Sequence, residues 1–375
     1  MINVFEPALG EEELESVRRV FESNWVGKGS VTDQFEAAFA NHLGVDRKLI
    51  RSVSCCTEGL FQSMVLLELG SGDEVILPSI SFVGAANAIA ASGARPIFCD
   101  VDKRTLNVTA HWIEEKITHR TKAVMILHYG GVPCEMEEIL HLARKKGIYV
   151  IEDSACSVAT RYQERACGTF GDIGVWSFDA MKIVVTGDGG MIYCRNAEIA
   201  QRAEELVYLG LTTKSGLSSH ISQRWWEFDV SSYGRRAIMN DIASAIGIEQ
   251  LKKLPGFISR RRQILESYNC ALSDVDWLQT PPQIPRQTQS SYYFYWIQTH
   301  PDIRDRLAKH LRDNGVYTTF RYYPLHLVKF YGASTSLPNA EEVTRTTLCL
   351  PIHQSLSEEE VRKIVDSIRE FGKIM

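Results

Sequence analysis

Apolar and polar positions follow a helical period at the start of the chain. In residues 11–22, and again in residues 31–44, an apolar side chain recurs every three or four positions, and the second run stops at Gly44. The stretch between the two runs, WVGKGS, contains Lys28. This pattern predicts two amphipathic helices joined by a short loop.

From about residue 50 the pattern changes to short runs rich in β-branched residues, with helical stretches between most of them. Alternation of strands and helices is typical of a parallel sheet that is covered by helices on both faces. We therefore predict a three-layer αβα fold with a mostly parallel seven-stranded sheet. The predicted strands are LIRSVS (49–54), EVILP (74–78), RPIFC (95–99), KAVMILH (122–128), IYVIE (148–152), IGVWS (173–177) and GMIYC (190–194).

The last third of the chain mixes helical and strand-like patterns. The segment KKLPGF (252–257) contains a proline followed by a glycine, which predicts a break before a further polar helix. We place a domain boundary there, between a large domain (1–254) and a smaller C-terminal α+β domain (255–375). Helical patterns lie at 196–209, 235–253, 301–314 and 357–372, and a strand-like pattern lies at 291–300.

Composition and charge narrow the class of protein. The chain has 375 residues, of which 45% are hydrophobic and 23% are charged, and this balance is typical of a folded globular protein. Its net charge of −5 gives no basic excess for nucleic acid. The nine cysteines are scattered without a C-x-x-C pair, which favours reduced thiols over disulfides or a zinc site. No window approaches ~20 uninterrupted apolar residues, so we expect a cytoplasmic protein without membrane spans. The cysteines and histidines lack the spacing of metal ligands, so we also expect no metal site.

Chemically useful residues follow the predicted strands directly. In an open α/β sheet, ligands bind beyond the carboxyl ends of the strands. After the first strand, Cys55-Cys56-Thr57-Glu58 opens a helix, with Thr57 as the predicted cap of an N-terminus that would bind a phosphate. Phe82 follows the second strand, where packing in the core is the plainer interpretation for a single aromatic residue.

Two further groups complete a recognisable set. Asp153 follows the fifth strand, and it requires a cationic partner if it is buried and ionised, or serves as a helix cap. Lys182 lies between apolar runs and ahead of a glycine-rich turn, where burial would lower its pKa and allow a Schiff base with a carbonyl. A phosphate cradle, a flat aromatic ring, an aspartate and a lysine are what pyridoxal phosphate (PLP) requires. Together these residues predict a PLP site.

The sequence resembles the DegT/StrS-type nucleotide-sugar aminotransferases, which are fold type I PLP enzymes of the aspartate aminotransferase superfamily. The resemblance extends over nearly the whole chain. The segments that carry it are SNWVGKGSVTDQFE, GDEVILPSISFVGAANAI, TKAVMILHYGGVP, VIEDSACSVATRY, GTFGDIGVWSFDAMKIVVTGDGG, MNDIASAIGIEQL, YYPLHL and LCLPIHQSLSEEEV.

This resemblance implies a role for each site residue. Lys182 would form the Schiff base with PLP, Asp153 would pair with the pyridine nitrogen, and Phe82 would stack on the ring. Lys182 also separates the chain from the family's dehydratases, which have histidine at that position. The groups implied to hold the phosphate are the backbone of Thr57 and Glu58 and the hydroxyl of Ser177.

The chain departs from the family pattern at three positions. Cys56 replaces a glycine before the phosphate-binding helix, which puts the geometry of the loop in question. Cys156 replaces the glutamine or histidine that lies near the PLP hydroxyl. Arg236 replaces an asparagine that reaches the PLP phosphate of a neighbouring subunit. It would serve there as a charged donor, or it is an ordinary surface arginine.

The resemblance also implies substrates and a partner. An amino group would pass from glutamate to a nucleotide-linked keto sugar, for which we predict C-4 of a TDP-4-keto-6-deoxyhexose. The implied partner is a second copy of the chain, because the family's sites combine residues of two subunits. Alternatives are a C-3 keto-sugar or cyclitol aminotransferase, or a PLP-binding regulator without turnover. The expected substrate-binding residues are Lys28, Arg321 and His326. We also predict that the segment QRWWEFDVSSYGRR (223–236) lines a nucleotide or sugar pocket. The alternative is that Trp225 and Trp226 simply pack in the core or in an interface.

Overall fold

The computed structural model describes residues 1–212, 228–332 and 335–375. The helices are α1 (Glu11–Glu22), α2 (Ser30–Leu43), α3 (Cys56–Leu66), α4 (Val83–Ala91), α5 (Ala110–Glu114), α6 (Met136–Lys146), α7 (Ala197–Val207), α8 (Asp241–Ala271), α9 (Pro301–Asp313), α10 (Pro338–Thr346) and α11 (Glu358–Ile374). The strands are β1 (Ile50–Val53), β2 (Glu74–Pro78), β3 (Arg95–Cys99), β4 (Thr121–Leu127), β5 (Tyr149–Asp153), β6 (Arg161–Tyr162), β7 (Arg165–Ala166), β8 (Ile173–Ser177), β9 (Gly190–Cys194), β10 (Leu278–Gln279), β11 (Thr288–Gln289), β12 (Tyr295–Thr299) and β13 (Thr347–Leu350).

The central sheet contains the seven strands that the sequence predicts. Their order is β1-β9-β8-β5-β4-β2-β3, and all neighbours are parallel except β9, which is antiparallel to both β1 and β8. The carboxyl ends of β1, β2, β4, β5 and β8 therefore meet at one edge of the sheet, and β9 starts at that same edge. This arrangement confirms the predicted fold class.

In the middle of the sheet, alternate residues of strands such as β2 and β4 pack into different apolar layers. In β4, Ala123 and Met125 belong to the larger core, which helices α2 and α3 help to cover, whereas Val124 and Ile126 belong to the core beneath α5 and α6. A strand that is buried on both faces needs apolar residues at successive positions. This requirement explains why these strands appear in the sequence as uninterrupted apolar runs.

Helix α8 is continuous across the predicted domain boundary. It runs for 31 residues with Pro255 inside it, so the predicted break at 252–257 is wrong. Pro255 is exposed, whereas Leu254 and Ile258 are buried in the larger core, so tertiary packing on both sides of the proline holds the helix together. The first half of α8 packs against α1 and α2, and α8 also contacts α11.

The start of α8 also differs from the prediction. The helical pattern over 235–253 begins in the structure only at Asp241, where the Asn240 side chain accepts a hydrogen bond from the Ala243 N–H at 2.9 Å. The segment before α8 is extended and is bound to the end of α7. The Arg235 and Ala237 N–H groups donate hydrogen bonds to the carbonyls of Leu206 and Val207, respectively.

The C-terminal part forms a second antiparallel sheet of order β10-β12-β13, whose core includes residues of α8, α9 and α11. Ile2 joins this core, and its backbone N–H and C=O form hydrogen bonds with Gly315 and Tyr317. A third small sheet, β11-β6-β7, lies outside the predicted strands. Within the three described ranges, no helix is long and apolar enough to cross a membrane.

A buried histidine should make folding stability depend on pH. His353 is buried beside the guanidinium of Arg261, and burial, followed by this positive charge, lowers its pKa from 6.5 to about 4. The folded state therefore favours neutral His353, so we expect stability to be complete above pH 6.5 and to fall by up to about 3 kcal/mol as the pH drops toward 4.

Denaturant unfolding of the wild type and of His353→Gln between pH 7 and pH 4 measures this effect. The variant should lose less stability over that interval, whereas His300→Gln, which alters an exposed histidine, should keep the wild-type slope. Equal slopes for the wild type and His353→Gln would contradict the prediction.

Candidate active site

The candidate site lies where the carboxyl ends of the central strands meet. Asp153 is the last residue of β5, Ser177 is the last residue of β8, and the N-terminus of α3 follows β1 after two residues. Ser177 is buried, and its Oγ accepts a hydrogen bond from the Asp179 N–H at 3.4 Å. Residues that are far apart in the sequence thus lie close together, because each of them ends or follows a strand of the sheet.

Cysteines, not the predicted threonine, begin helix α3. Cys55 is the N-cap, and its Sγ accepts from the Glu58 N–H at 3.4 Å, so the cap assigned to Thr57 is wrong. Cys56 is the first helical residue, and this conformation does not require glycine. The replacement of the family's glycine by Cys56 is therefore compatible with the geometry of the loop. Thr57 lies in the first turn, where N–H groups lack helical partners and attract anions.

A glycine allows this helix end to approach the sheet. Gly190, the first residue of β9, lies opposite Val53 and Ser177 in the sheet. A Cβ atom at this position would lie 2.8 Å from the Cys56 nitrogen and 2.8 Å from the Trp176 oxygen. The glycine-rich turn therefore keeps open the space between α3 and β8.

We expect Gly190→Ala to destabilise the fold by about 1–3 kcal/mol, because the new methyl group would overlap backbone atoms that cannot move independently. Gly256→Ala is the matched control: a Cβ there meets nothing within 4 Å in α8, so alanine should stabilise the helix by about 0.5–1 kcal/mol. Urea unfolding of both variants measures the difference. Equal stabilities would contradict the close approach.

Asp153 is a buried carboxylate with few partners. Its side chain is 2% exposed and accepts a hydrogen bond from the Ala155 N–H at 3.1 Å. Burial raises the pKa of Asp153, while the Ala155 N–H, Lys182 and His128 act in the opposite direction. A carboxylate in this setting gains from a protonated nitrogen placed against it.

The neighbouring Glu152 faces a different set of groups. It accepts hydrogen bonds from His128 Nε2 at 3.0 Å, from the Gly168 N–H at 2.6 Å and from the Gly171 N–H at 2.5 Å. His128 Nδ1 accepts from the Cys134 N–H, which leaves its proton on Nε2. Glu152 is thus used to hold the chain that leads into β8, whereas Asp153 remains available to a ligand.

Lys182 lies in the loop between β8 and β9. The buried side chains of Phe178 and Ile183 anchor this loop, and Lys182 Nζ lies 3.3 Å from the hydroxyl oxygen of Tyr293. Burial lowers the pKa of Lys182, but Tyr293, Cys156 and Cys56, in this order of effect, together raise it by more. The net direction is upward, so the expected lowering is wrong for the chain by itself.

Aromatic residues form one wall of the site. Phe82 caps α4 with 46% of its surface exposed, and its ring centroid lies 5.8 Å from that of Tyr322. The Tyr322 hydroxyl lies 3.9 Å from Cys156 Sγ. Burial raises the pKa of the Cys156 thiol to about 11, so it is a neutral S–H at physiological pH.

Arg236 is exposed and lies over the Tyr208 ring, 5.3 Å from its centroid. Its neighbour Arg235 contacts α3 instead, with a guanidinium nitrogen 2.9 Å from Glu58 Oε1. Within one chain, therefore, Arg235 is the arginine of this segment that pairs with helix α3.

The three expected substrate-binding residues have different surroundings. Lys28 Nζ lies 3.3 Å from the buried Glu36 carboxylate. Arg321 lies over the Phe5 ring, 5.2 Å from its centroid. His326 is buried, with Nδ1 2.6 Å from Ser79 Oγ and Nε2 3.4 Å from Glu341 Oε1. Residues 223–227, which include Trp225 and Trp226, lie outside the described residues.

Sequence reasoning missed Tyr293 and His128. Tyr293 belongs to the aromatic run SYYFYW, whose pattern is typical of a strand in the core and gives no sign of a functional residue. Only the packing of the C-terminal part brings Tyr293 to Lys182. His128 follows β4 directly, so a search of every strand end would have found it.

These residues fit PLP. The site combines a buried carboxylate for the ring nitrogen, an amine for the aldehyde, an aromatic face and a helix N-terminus for the phosphate. Gly84 keeps the space between Thr57 and Phe82 open. A Cβ atom at this position would lie 3.1 Å from Thr57 Oγ1 and 3.4 Å from the Phe82 ring. The chain's own residues thus provide each group that the cofactor needs.

Comparisons with known proteins agree with this site. The model of the DegT/DnrJ/EryC1/StrS aminotransferase family matches residues 7–369. The dTDP-4-dehydro-2,3,6-trideoxy-D-glucose 4-aminotransferase of Saccharopolyspora spinosa is 52% identical over 374 residues, which are 100% of this chain and 96% of the relative. GDP-perosamine synthase of Escherichia coli O157:H7 is 34% identical, over 99% of this chain and 98% of the relative.

A solved structure is also similar over its whole length. The crystal structure of the aminotransferase TlmJ from Streptoalloteichus hindustanus matches with a TM-score of 0.95 and 56% identity, covering 100% of this chain and 99% of that chain.

Proposed function

The chain belongs to the DegT/DnrJ/EryC1/StrS aminotransferase family, whose members use PLP, and we propose that it transfers an amino group to C-4 of a TDP-linked keto-deoxysugar. The observation that carries this substrate is the 52% identity, over the full chain, to a relative that is a 4-aminotransferase of a dTDP-4-dehydro-trideoxyglucose. The retained Lys182 excludes the family's dehydratase pattern, which has histidine there.

Lys182 and Asp153 divide the chemistry between them. PLP, when bound, withdraws electrons from the carbon that carries the amino group. Lys182 Nζ would take the proton from this carbon and deliver it to the former aldehyde carbon of the cofactor, and the reverse transfer would serve the keto sugar, since an amine held beside the reacting centre transfers protons efficiently. Asp153 keeps a proton on the ring nitrogen, because its buried carboxylate is stabilised by a cation at that point.

The remaining residues bind and orient. The first turn of α3 and the Ser177 hydroxyl hold the phosphate, and Phe82 covers one face of the ring. The S–H of Cys156 is a weak donor toward the ring hydroxyl, in place of the family's glutamine or histidine. Lys28, Arg321 and His326 remain our proposed substrate-binding residues, and Arg321 donates to Met181 Sδ, in the residue before Lys182, at 3.5 Å.

A panel of keto sugars tests the function. Purified protein with PLP is supplied with glutamate and, in turn, TDP-, UDP- and GDP-linked 4-keto-6-deoxyhexoses, a 3-keto isomer and a cyclitol ketone, and the amino product is measured by mass spectrometry. We expect the fastest amination at C-4 of a TDP-linked sugar. Faster amination of the 3-keto sugar or the cyclitol would support those alternatives instead. No conversion of PLP to its amine form by glutamate would support a binder without turnover.

We also propose a homodimer in which Arg236 of each chain serves the phosphate site of the other. The segment around Arg236 is extended and exposed, and its position matches that of the family's crossing asparagine. Because one mixed site would then combine intact Lys182 with intact Arg236, mixing the inactive Lys182→Ala with Arg236→Ala should restore activity.

Dissociation and reassociation of the two variants, followed by a transamination assay, measures this effect. We expect the mixture to exceed the summed activities of the separate variants several-fold. A mixture that equals the sum, although mixed dimers have formed, would show that Arg236 acts within its own chain or only at the surface.

A further inference from the structure

We propose that Tyr293 is a positioning residue that holds the amino group of Lys182 in the site whenever this group is free, and that it does so as a hydrogen-bond acceptor. The inference rests on the proposed function, in which Lys182 must leave the cofactor and still move protons beside it. Tyr293 lies in the C-terminal part of the chain, more than a hundred residues from the lysine, so the contact is set by the fold.

The hydrogen bonds of Tyr293 fix the direction of this contact. Its O–H donates to the Met181 carbonyl at 3.3 Å, and the same oxygen lies 3.3 Å from Lys182 Nζ. Because a phenol has one proton, the oxygen meets the amine with a lone pair. Tyr293 thus accepts from the amine and keeps its own proton, so no bond forms or breaks between the two residues.

The ring of Tyr293 adds a second attraction for the cationic amine. Lys182 Nζ lies 5.0 Å from the ring centroid, within the range of a cation–π interaction. The ring is itself held by Phe5, which is nearly parallel to it at 5.6 Å, and by Phe294 at 4.6 Å. Phe5 in turn lies beneath Arg321. A side chain clamped in this way offers a fixed point to a flexible lysine.

Among the residues that the structure describes, no other hydroxyl is so placed. The Tyr322 hydroxyl is nearest to Cys156, and the Ser177 hydroxyl to the Asp179 N–H. In the described part of the chain, Tyr293 is the single side chain that forms a hydrogen bond with Lys182 Nζ. The other titratable or charged groups that act on Lys182 or on its immediate neighbours are Cys56, Asp153, Cys156, Tyr322, Arg261 and Arg321.

Competitive acetylation of the PLP-free chain tests the proposal without any turnover. Acetic anhydride reacts with an amine only when it is unprotonated, so the rate at Lys182, measured by mass spectrometry over a range of pH, reports its pKa. In Tyr293→Phe the ring stays and the acceptor is lost, so the protonated form loses a partner. We expect the pKa of Lys182 to fall by about 1 unit, which makes its acetylation near pH 8 about tenfold faster.

Two controls separate this effect from a general disturbance. Lys145, on α6, is an internal reference whose rate should not change. Tyr322→Phe removes a different hydroxyl of the same site and should leave the Lys182 profile at its wild-type pH. If Tyr293→Phe does not fold, Phe5→Leu, which loosens the Tyr293 ring, should move the profile in the same direction by less.

An unchanged Lys182 profile in folded Tyr293→Phe would overturn the proposal. So would an equal shift in Tyr322→Phe, because the effect would then belong to the site in general. Cofactor loading and the glutamate reaction of the wild type are measured in parallel. Their failure would count against the proposed function, whereas the acetylation profile of the PLP-free chain would still decide the role of Tyr293.

Discussion

Lys182→Ala should reduce transamination by a factor on the order of 10⁴ or more, the largest effect that we expect of any single substitution. The change removes both the amine that anchors the cofactor and the base that moves the proton, and proton transfer by a positioned group alone contributes about 10²–10⁴-fold. The fold should persist, because the residues that anchor the loop, Phe178 and Ile183, are untouched.

Three measurements check this expectation. Wild-type protein mixed with PLP should show the visible absorbance of a cofactor joined to lysine, and Lys182→Ala should show that of the free aldehyde. Lys145→Ala, a control at an exposed position, should behave as the wild type. Added methylamine should restore part of the glutamate reaction in Lys182→Ala, because a small amine replaces the missing base. Full activity in Lys182→Ala would contradict the assignment.

Asp153→Asn should lower turnover by about 10²–10⁴-fold and at the same time stabilise the cofactor-free chain. The amide does not keep a proton on the ring nitrogen, so the electron-withdrawing form of the cofactor is lost. Burial raises the pKa of Asp153, which means that its ionised form costs folding free energy at pH values above the ordinary pKa of 3.8. A neutral side chain of the same shape removes this cost.

Unfolding by urea at pH 7 and single-turnover kinetics with glutamate measure the two effects. Glu152→Gln is the matched control one residue away, because its carboxylate accepts from His128 and two backbone N–H groups. That variant should lose about 1–3 kcal/mol of stability. A stability loss in Asp153→Asn like that of Glu152→Gln would assign Asp153 a structural role instead.

The sequence predicts the sheet well because the sheet follows local rules. Strands buried on both faces require apolar runs, and the runs at 74–78, 95–99, 173–177 and 190–194 match β2, β3, β8 and β9 residue for residue. Because ligands bind beyond the carboxyl ends of the strands, the strand order alone predicts that Asp153 and Lys182 lie at one edge of the sheet, without any knowledge of side-chain contacts.

Tertiary contacts account for what the sequence did not predict. Pro255 ends a helix in most sequence contexts, but buried neighbours on both sides override it here. Cys55 caps α3 through a sulfur atom, whereas capping preferences favour oxygen side chains such as that of Thr57. Tyr293 reaches Lys182 only because the C-terminal part folds back, a contact that has no local signature.

The unbroken course of α8 limits how the site can close around a substrate. Its first half packs with α1 and α2, and buried residues further along, such as Ile264 and Tyr268, belong to the C-terminal core. A helix that is packed at both ends leaves no hinge at the predicted domain boundary, so rotation of one part against the other would bend α8. We therefore expect substrate entry and product release to be gated by surface loops, on the timescale of loop motion rather than of domain rotation.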